Sequence, residues 1–167
     1  TNLVKFRNCC WYTNIDHGRR HQPLKLMTMS ENYKHSKHKE IKERKEYLHY
    51  DNYEAIDVPF TDAIPSDYKG AMGVPISFLD KYCPEQFEIL GLTQFGCHDK
   101  LPDTRRYNNY KEYITLGDVE TGSSGAKTNE NAVILGKGTK KTYYKNAEGR
   151  IVHSEYKRLL IRKKQPQ

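Results

Sequence analysis

Proline and glycine cut this chain into short apolar runs, and that constrains its fold more than any other feature. Residues 53–58 are apolar, aromatic and acidic in turn and stop at Pro59. The pattern predicts a strand. Residues 62–73 hold Ile64-Pro65, Ser66-Asp67 and two glycines, Gly70 and Gly73, and read as turns. Pro75 suits the first turn of a short helix over 76–82, which stops before Pro84. Residues 86–93 read as a strand, as do 9–15, 23–28, 132–135 and 141–146. Asn146-Ala147-Glu148-Gly149 predicts a hairpin turn, with 150–162 as the return strand. Residues 30–47 alternate lysine with glutamate, and Glu40–Arg44 is a helix-supporting pair at i,i+4. Only Ile41 and Leu48 give that segment an apolar stripe. A marginal helix is expected there, the least ordered long segment before residue 93. The tyrosine-rich 107–114 suits a short helix, and 96–106 and 116–131 read as loops. The sum is a strand-rich α+β fold.

At 167 residues the default is one domain with room for a second small lobe. The hydrophobic fraction is 36% and the charged fraction 29%, enough for a core but a thin one. The net charge of +7 is unevenly placed. Residues 1–136 hold 18 Lys/Arg against 19 Asp/Glu, and residues 137–167 hold 10 against 2. A cationic end is what a phosphate-facing surface needs, because affinity for DNA grows with the phosphates neutralised. A solvated basic tail has the same composition. The cysteines at 9, 10, 83 and 97 include no Cys-x-x-Cys pair, so no zinc site is expected. His17 and His21 have the spacing of a helical metal pair, but Gly18 and the lack of a following glutamate spoil it. No apolar run approaches about 18 residues and no signal-peptide pattern is seen, so a reduced, cytoplasmic protein without a membrane partner is expected.

Three groups of residues are candidates for function. Arg19, Arg20 and His21 crown a turn after the 9–15 segment. Arginine forks onto phosphate or onto the guanine edge, and here it has Asp16 as a competing partner. Lys137, Lys140, Lys141, Lys145, Arg150, Lys157 and Arg158 are interleaved with Tyr143, Tyr144 and Tyr156. On a strand, Lys141, Tyr143 and Lys145 share one face, and a cationic, aromatic face suits a DNA groove wall. Tyr50-Asp51-Asn52-Tyr53 reads as strand-entry capping or as a DNA-facing turn. Gly122-Ser123-Ser124-Gly125-Ala126-Lys127-Thr128 falls short of a phosphate-binding loop, because Ala126 stands where glycine must precede the lysine.

Three blocks carry a resemblance: Trp11-Tyr12-Thr13-Asn14-Ile15-Asp16-His17-Gly18-Arg19-Arg20-His21, residues 50–59, and Met72-Gly73-Val74-Pro75-Ile76-Ser77-Phe78-Leu79. In this order and spacing the chain resembles the C-terminal half of the EcoRI-type adenine-specific DNA methyltransferases. The resemblance runs over roughly residues 5–92 and resumes at 156–162. It implies a mixed α/β sheet in the parent enzyme, with S-adenosylmethionine as donor and N6-methyladenine in double-stranded DNA as product. Such an enzyme needs a glycine-rich cofactor turn and an Asn/Asp-Pro-Pro-aromatic turn that grips the flipped adenine. The sequence has no Pro-Pro pair. The expectation is therefore a C-terminal piece, with the cofactor bound by an upstream half and no catalytic or cofactor residue here. Residues 1–92 would complete the catalytic domain, and 93–167 would form a target-recognition lobe. The implied partners are duplex DNA, the upstream methyltransferase half and a cognate restriction endonuclease. The alternatives are a stand-alone nucleic-acid-binding module without activity, and an interaction domain whose basicity serves solubility.

Overall fold

The computed structural model describes residues 15–94, 110–124, 131–146 and 148–165. The 9–15 segment therefore lies almost wholly outside the described residues, as do Cys9, Cys10, Cys97 and 125–130. The described residues form two sheets, and the fold is α+β with strands dominant.

The first sheet contains β1 (Ala55–Asp57), β2 (Ala71–Pro75), β3 (Phe87–Leu92) and β9 (Arg158–Lys163), in the order β1-β2-β9-β3. β1 and β2 are parallel, and β9 runs antiparallel to both β2 and β3. Alternation of side chains gives the sheet two buried faces. Met72, Val74, Leu159 and Ile161 point to one side, where they meet Ile41, Tyr47, Ile56, Val58, Ile64, Phe78 and Phe87. Ala71 and Leu160 point to the other, where they meet Tyr50, Tyr53, Leu90, Ala132 and Ile134. β1 is buried throughout although it ends the sheet. Residues 48–50 cover its outer edge: Asp57 N donates to Leu48 O at 2.7 Å, and Tyr50 N to Ala55 O at 3.0 Å.

The second sheet contains β4 (Lys111–Ile114), β5 (Val119–Ser124), β6 (Val133–Leu135), β7 (Thr142–Lys145) and β8 (Ile151–Ser154), in the order β5-β4-β7-β8-β6. All its pairings are antiparallel. It is fastened to the first sheet by Asp51 and Asn52. Asp51 N donates to Val133 O at 2.7 Å. The Asn52 side chain accepts from Val133 N at 2.9 Å and donates to Asn131 O at 2.8 Å. Asn52 thus imitates a strand edge for β6, a more specific role than capping.

The structure corrects several expectations. Residues 30–47 form two short helices, α1 (Met29–His35) and α2 (Lys39–Arg44), in place of one marginal helix. Their anchors include polar groups that an apolar count misses. Asn32 is buried and donates to Met27 O and Ala63 O at 3.4 and 3.3 Å, and Tyr47 Oη donates to the same Ala63 carbonyl at 2.6 Å. The expected 23–28 strand is reduced to a single bridge between Met27 and Pro65, because Thr28 and Glu31 form a capping box that starts α1. Within 107–114, residues 111–114 are strand β4, where Tyr113 stacks on Tyr143 across the ladder at 5.5 Å. Residues 119–124 of the expected loop are strand β5. The expected single return strand over 150–162 is two strands in different sheets. Arg158 is drawn into the first sheet by Asp57, and Glu155 N is held by Ala132 O at 2.8 Å, so the chain crosses between them.

Candidate nucleic-acid interface

The turn Gly18–His21 is a single turn of 3-10 helix. The Arg19 side chain lies outside the described residues, and Arg20 is half-buried. His21 is held between two carboxylates. Its Nε2 contacts Asp16 at 3.0 Å and its Nδ1 contacts Glu85 at 2.6 Å. Hydrogen bonding to Asp16, then to Glu85, raises its pKa, and His21 in turn lowers that of Asp16. Any charge on the His21 ring is thus offset within the protein. Around it, Glu85 and Glu88 share an open groove of ≈ 830 Å³ with Lys69, Arg162, Lys163 and Lys164. Of these lysines, Lys163 is tied to Ser66 O at 2.6 Å.

The C-terminal cations do not act as one face. Arg158 is nearly buried. Its Nε donates to Asp57 at 3.0 Å, Tyr50 Oη donates to the same carboxylate oxygen at 2.6 Å, and Glu155 lies 3.6 Å from Nη2. This is an internal ion pair within the first sheet, extended to Glu155 in the crossover from the second. Arg150 pairs with Asp51 at 2.6 Å. Lys140 donates to Ser154 O and lies 4.8 Å from the Tyr156 ring centroid, and burial lowers its pKa. Lys137 pairs with Asp118 at 2.6 Å and sits 4.8 Å from the Tyr143 ring. Lys145 lies over the Tyr113 ring at 4.4 Å. Tyr143 is fully buried, and its hydroxyl donates to Asp118 at 3.2 Å. Lys157 is exposed and donates to Gln94 at 2.8 Å, and Lys141 is exposed.

Alternation is still visible on β7, where Tyr143 and Lys145 flank the Tyr113 ring as expected of one face. The face is turned inward at Tyr143 and outward at Lys141. Sequence reasoning missed the acceptors Asp118 and Glu155, and the histidine that contacts Glu155, His153. The imidazole of His153 lies between Gly136 O at 3.0 Å and Glu155 at 3.1 Å. Both ring nitrogens face acceptors, and the Glu155 bond is the main reason its pKa is raised. A Cβ on Gly138 would meet that ring at 2.5 Å, so glycine is required there. The only sequence signal was Gly136-Lys137-Gly138 itself.

The described residues do not fit S-adenosylmethionine. The cofactor needs backbone approach at a glycine-rich turn and an apolar slot. Gly70 and Gly73, the glycines of the β1–β2 region, are covered by the Tyr68 and Tyr50 rings. The groove by β3 and β9 is lined by charged and amide side chains. Among the described residues, no group of three His, Cys, Asp or Glu is placed to hold a metal, and no helix is long and apolar enough to cross a membrane.

Fold and surface together define a strand-rich α+β protein with a cation-bearing β lobe. The chain belongs to the family of EcoRI-type adenine-specific methyltransferases, whose sequence model matches residues 1–164. That makes it a member of a DNA methyltransferase family, adenine-specific and of the transferase class. It is 43% identical over 88 residues to the type II methyltransferase M.EcoRI of Escherichia coli, 53% of this chain and 24% of that protein. It is 39% identical over 80 residues to M.MpnI of Mycoplasma pneumoniae, 48% of this chain and 22% of that protein. It is 50% identical over 40 residues to M.MgeORF184P of Mycoplasma genitalium, 24% of this chain and 13% of that protein. The chain thus spans a quarter or less of these curated relatives. No solved structure matches it.

Proposed function

We propose that this chain is the C-terminal portion of an adenine-N6 DNA methyltransferase, and that its task is to complete the enzyme body and hold duplex DNA. The observation that carries the reading is the span of the family match, which takes in both sheets rather than one motif. The methyl group comes from S-adenosylmethionine, bound by the half of the enzyme that bears the glycine-rich turn. Residues 1–92 belong to the catalytic body in this reading, with the last strand β9 returning to the same sheet. The β4–β8 lobe meets DNA, with Lys141 and Lys157 as its exposed cations. The Lys69–Arg162–Lys164 groove is a second candidate for the phosphate backbone. The reaction then takes place where the DNA is, in the cytoplasm, with a restriction endonuclease of the same specificity as its counterpart.

The test is binding of the 167-residue chain to two unrelated duplexes, read by fluorescence anisotropy at several salt concentrations. Affinity falling steeply with salt on both duplexes supports the reading. Calorimetric titration with S-adenosylmethionine, which should give no heat of binding, is the second arm. Salt-independent or absent DNA binding overturns the DNA role. Micromolar cofactor binding overturns the division of labour.

A further inference from the structure

The hairpin of β4 and β5 ends in an apolar apex. Ile114 and Val119 oppose each other as its last cross-strand pair. Leu116 stands in the turn between them and is 88% exposed; Ile114 and Val119 are 41% and 57% exposed. The apex is braced. Thr115 N donates to Lys141 O at 2.7 Å, and Thr115 Oγ1 to Lys140 O at 3.0 Å. Lys137 Nζ meets Asp118 at 2.6 Å on the other arm of the turn. Gly117 and Asp118, with φ of 83° and 50°, make the tight reversal that leaves Leu116 outermost.

A single exposed leucine needs no explanation. Three large apolar side chains on one braced turn, bordered by a lysine-bearing segment over 137–141, are a more specific combination. Proteins that open duplex DNA push leucine, isoleucine or phenylalanine between base steps, while cations hold the flanking phosphates. We propose that Leu116, flanked by Ile114 and Val119, is a wedge that enters duplex DNA between base pairs, with the exposed Lys141 toward a flanking phosphate. Charge complementarity favours DNA over a second copy of the chain, whose own 137–141 lysines would be brought against these. The inference rests on duplex DNA being the partner, as proposed above. An enzyme that works on a base inside a duplex must open the stack, and an apolar wedge fills the space so created.

The experiment titrates the 167-residue chain into duplexes carrying 2-aminopurine in place of adenine at staggered positions. Fluorescence reports unstacking, and anisotropy reports binding on the same samples. Binding should raise fluorescence several-fold at a subset of positions. Leu116→Ala should cut that rise about five-fold while changing affinity less, and Leu116→Phe should keep it. Leu116 is exposed, so neither substitution disturbs the core. Binding without a rise, or an undiminished rise with Leu116→Ala, overturns the wedge and leaves the DNA reading standing. Absence of salt-sensitive binding to any duplex overturns the DNA reading, and the wedge with it. A dimer in sedimentation that Leu116→Ala dissolves overturns the wedge by making the apex a contact between copies.

Discussion

Arg158 ties the first sheet to the crossover that leads into it. Its guanidinium reaches Asp57 on β1 and Glu155 in the crossover, and Tyr50 adds a hydroxyl to the same carboxylate. Burial, and then the Asp57 charge, pushes the Tyr50 phenol well above its ordinary value, so it stays a donor. Removing one partner of a buried ion pair strands the other. Arg158→Ala should therefore lower stability by about 3–5 kcal/mol in urea denaturation, while leaving the salt slope of DNA binding unchanged. His153 and Glu155 make a second pair with a pH signature. The histidine pKa is raised, chiefly by Glu155, so its contribution is full below about 6.5 and fades as pH rises through the higher folded value. The glutamate pKa is lowered, chiefly by His153, so its contribution is full above about 4.5 and is lost as pH falls through the lower folded value. Stability from the pair should peak between these limits. Denaturation midpoints of wild type and His153→Gln measured from pH 4 to 9 should diverge most near pH 5.5 and converge at high pH.

At the scale of elements, α1 shows how little helix length is needed when the ends are fixed. Thr28 Oγ1 accepts from Glu31 N at 3.2 Å, and the Glu31 carboxylate accepts from Thr28 N at 2.7 Å. Hydrogen bonds from the Thr28 backbone and side chain hold the Glu31 pKa down. Thr28→Ala should cost about 1 kcal/mol, read as faster hydrogen exchange across 29–35. The sequence carries the signal, threonine followed three residues later by glutamate, but residue 28 was read as the end of a strand and the cap was missed. Strands β1, β3, β6 and β7 were readable from short apolar runs between breakers, but β2 was not: residues 62–73 read as turns, and what makes 71–75 a strand is its pairing with β1 and with β9, far along the chain. Nor were β4 and β5. Their place in the sheet is set by β4 pairing with β7, where Tyr113 stacks on Tyr143, a contact between residues that no local window contains.

For the whole molecule, charge was legible as a sum but not as positions. The basic end is real in composition, yet Asp118, Asp51, Asp57 and Glu155 each take one of its cations. Glu155 is a near neighbour, but the aspartates lie far away in sequence: Lys137 and Asp118 are 19 residues apart, and Arg158 and Asp57 are 101. The consequence for DNA binding can be measured. Lys141→Ala should flatten the slope of log affinity against log salt by about 0.9, whereas Lys140→Ala should leave it nearly unchanged. Equal effects of the two would return the lobe to a uniformly basic surface.

The central place of β9 sets the order in which this molecule can be assembled. β2 and β3 are never hydrogen-bond neighbours; each pairs with β9, which lies between them. A chain leaving the ribosome therefore has β2 and β3 in hand with a vacant slot until residues 158–163 arrive. The intervening 65 residues, 93–157, take about 3–13 s to synthesise at the usual bacterial to eukaryotic rates. Through that interval Met72, Val74 and Phe87 lack Leu159 and Ile161, and two strand edges stand open. Every pairing within the β4–β8 lobe joins residues that precede 158, and β4–β5 and β7–β8 are local hairpins, so the lobe can close first and deliver β9 to its slot. Chaperone contacts should fall on this waiting half-sheet, and a ribosome stalled before residue 158 should leave it protease-sensitive.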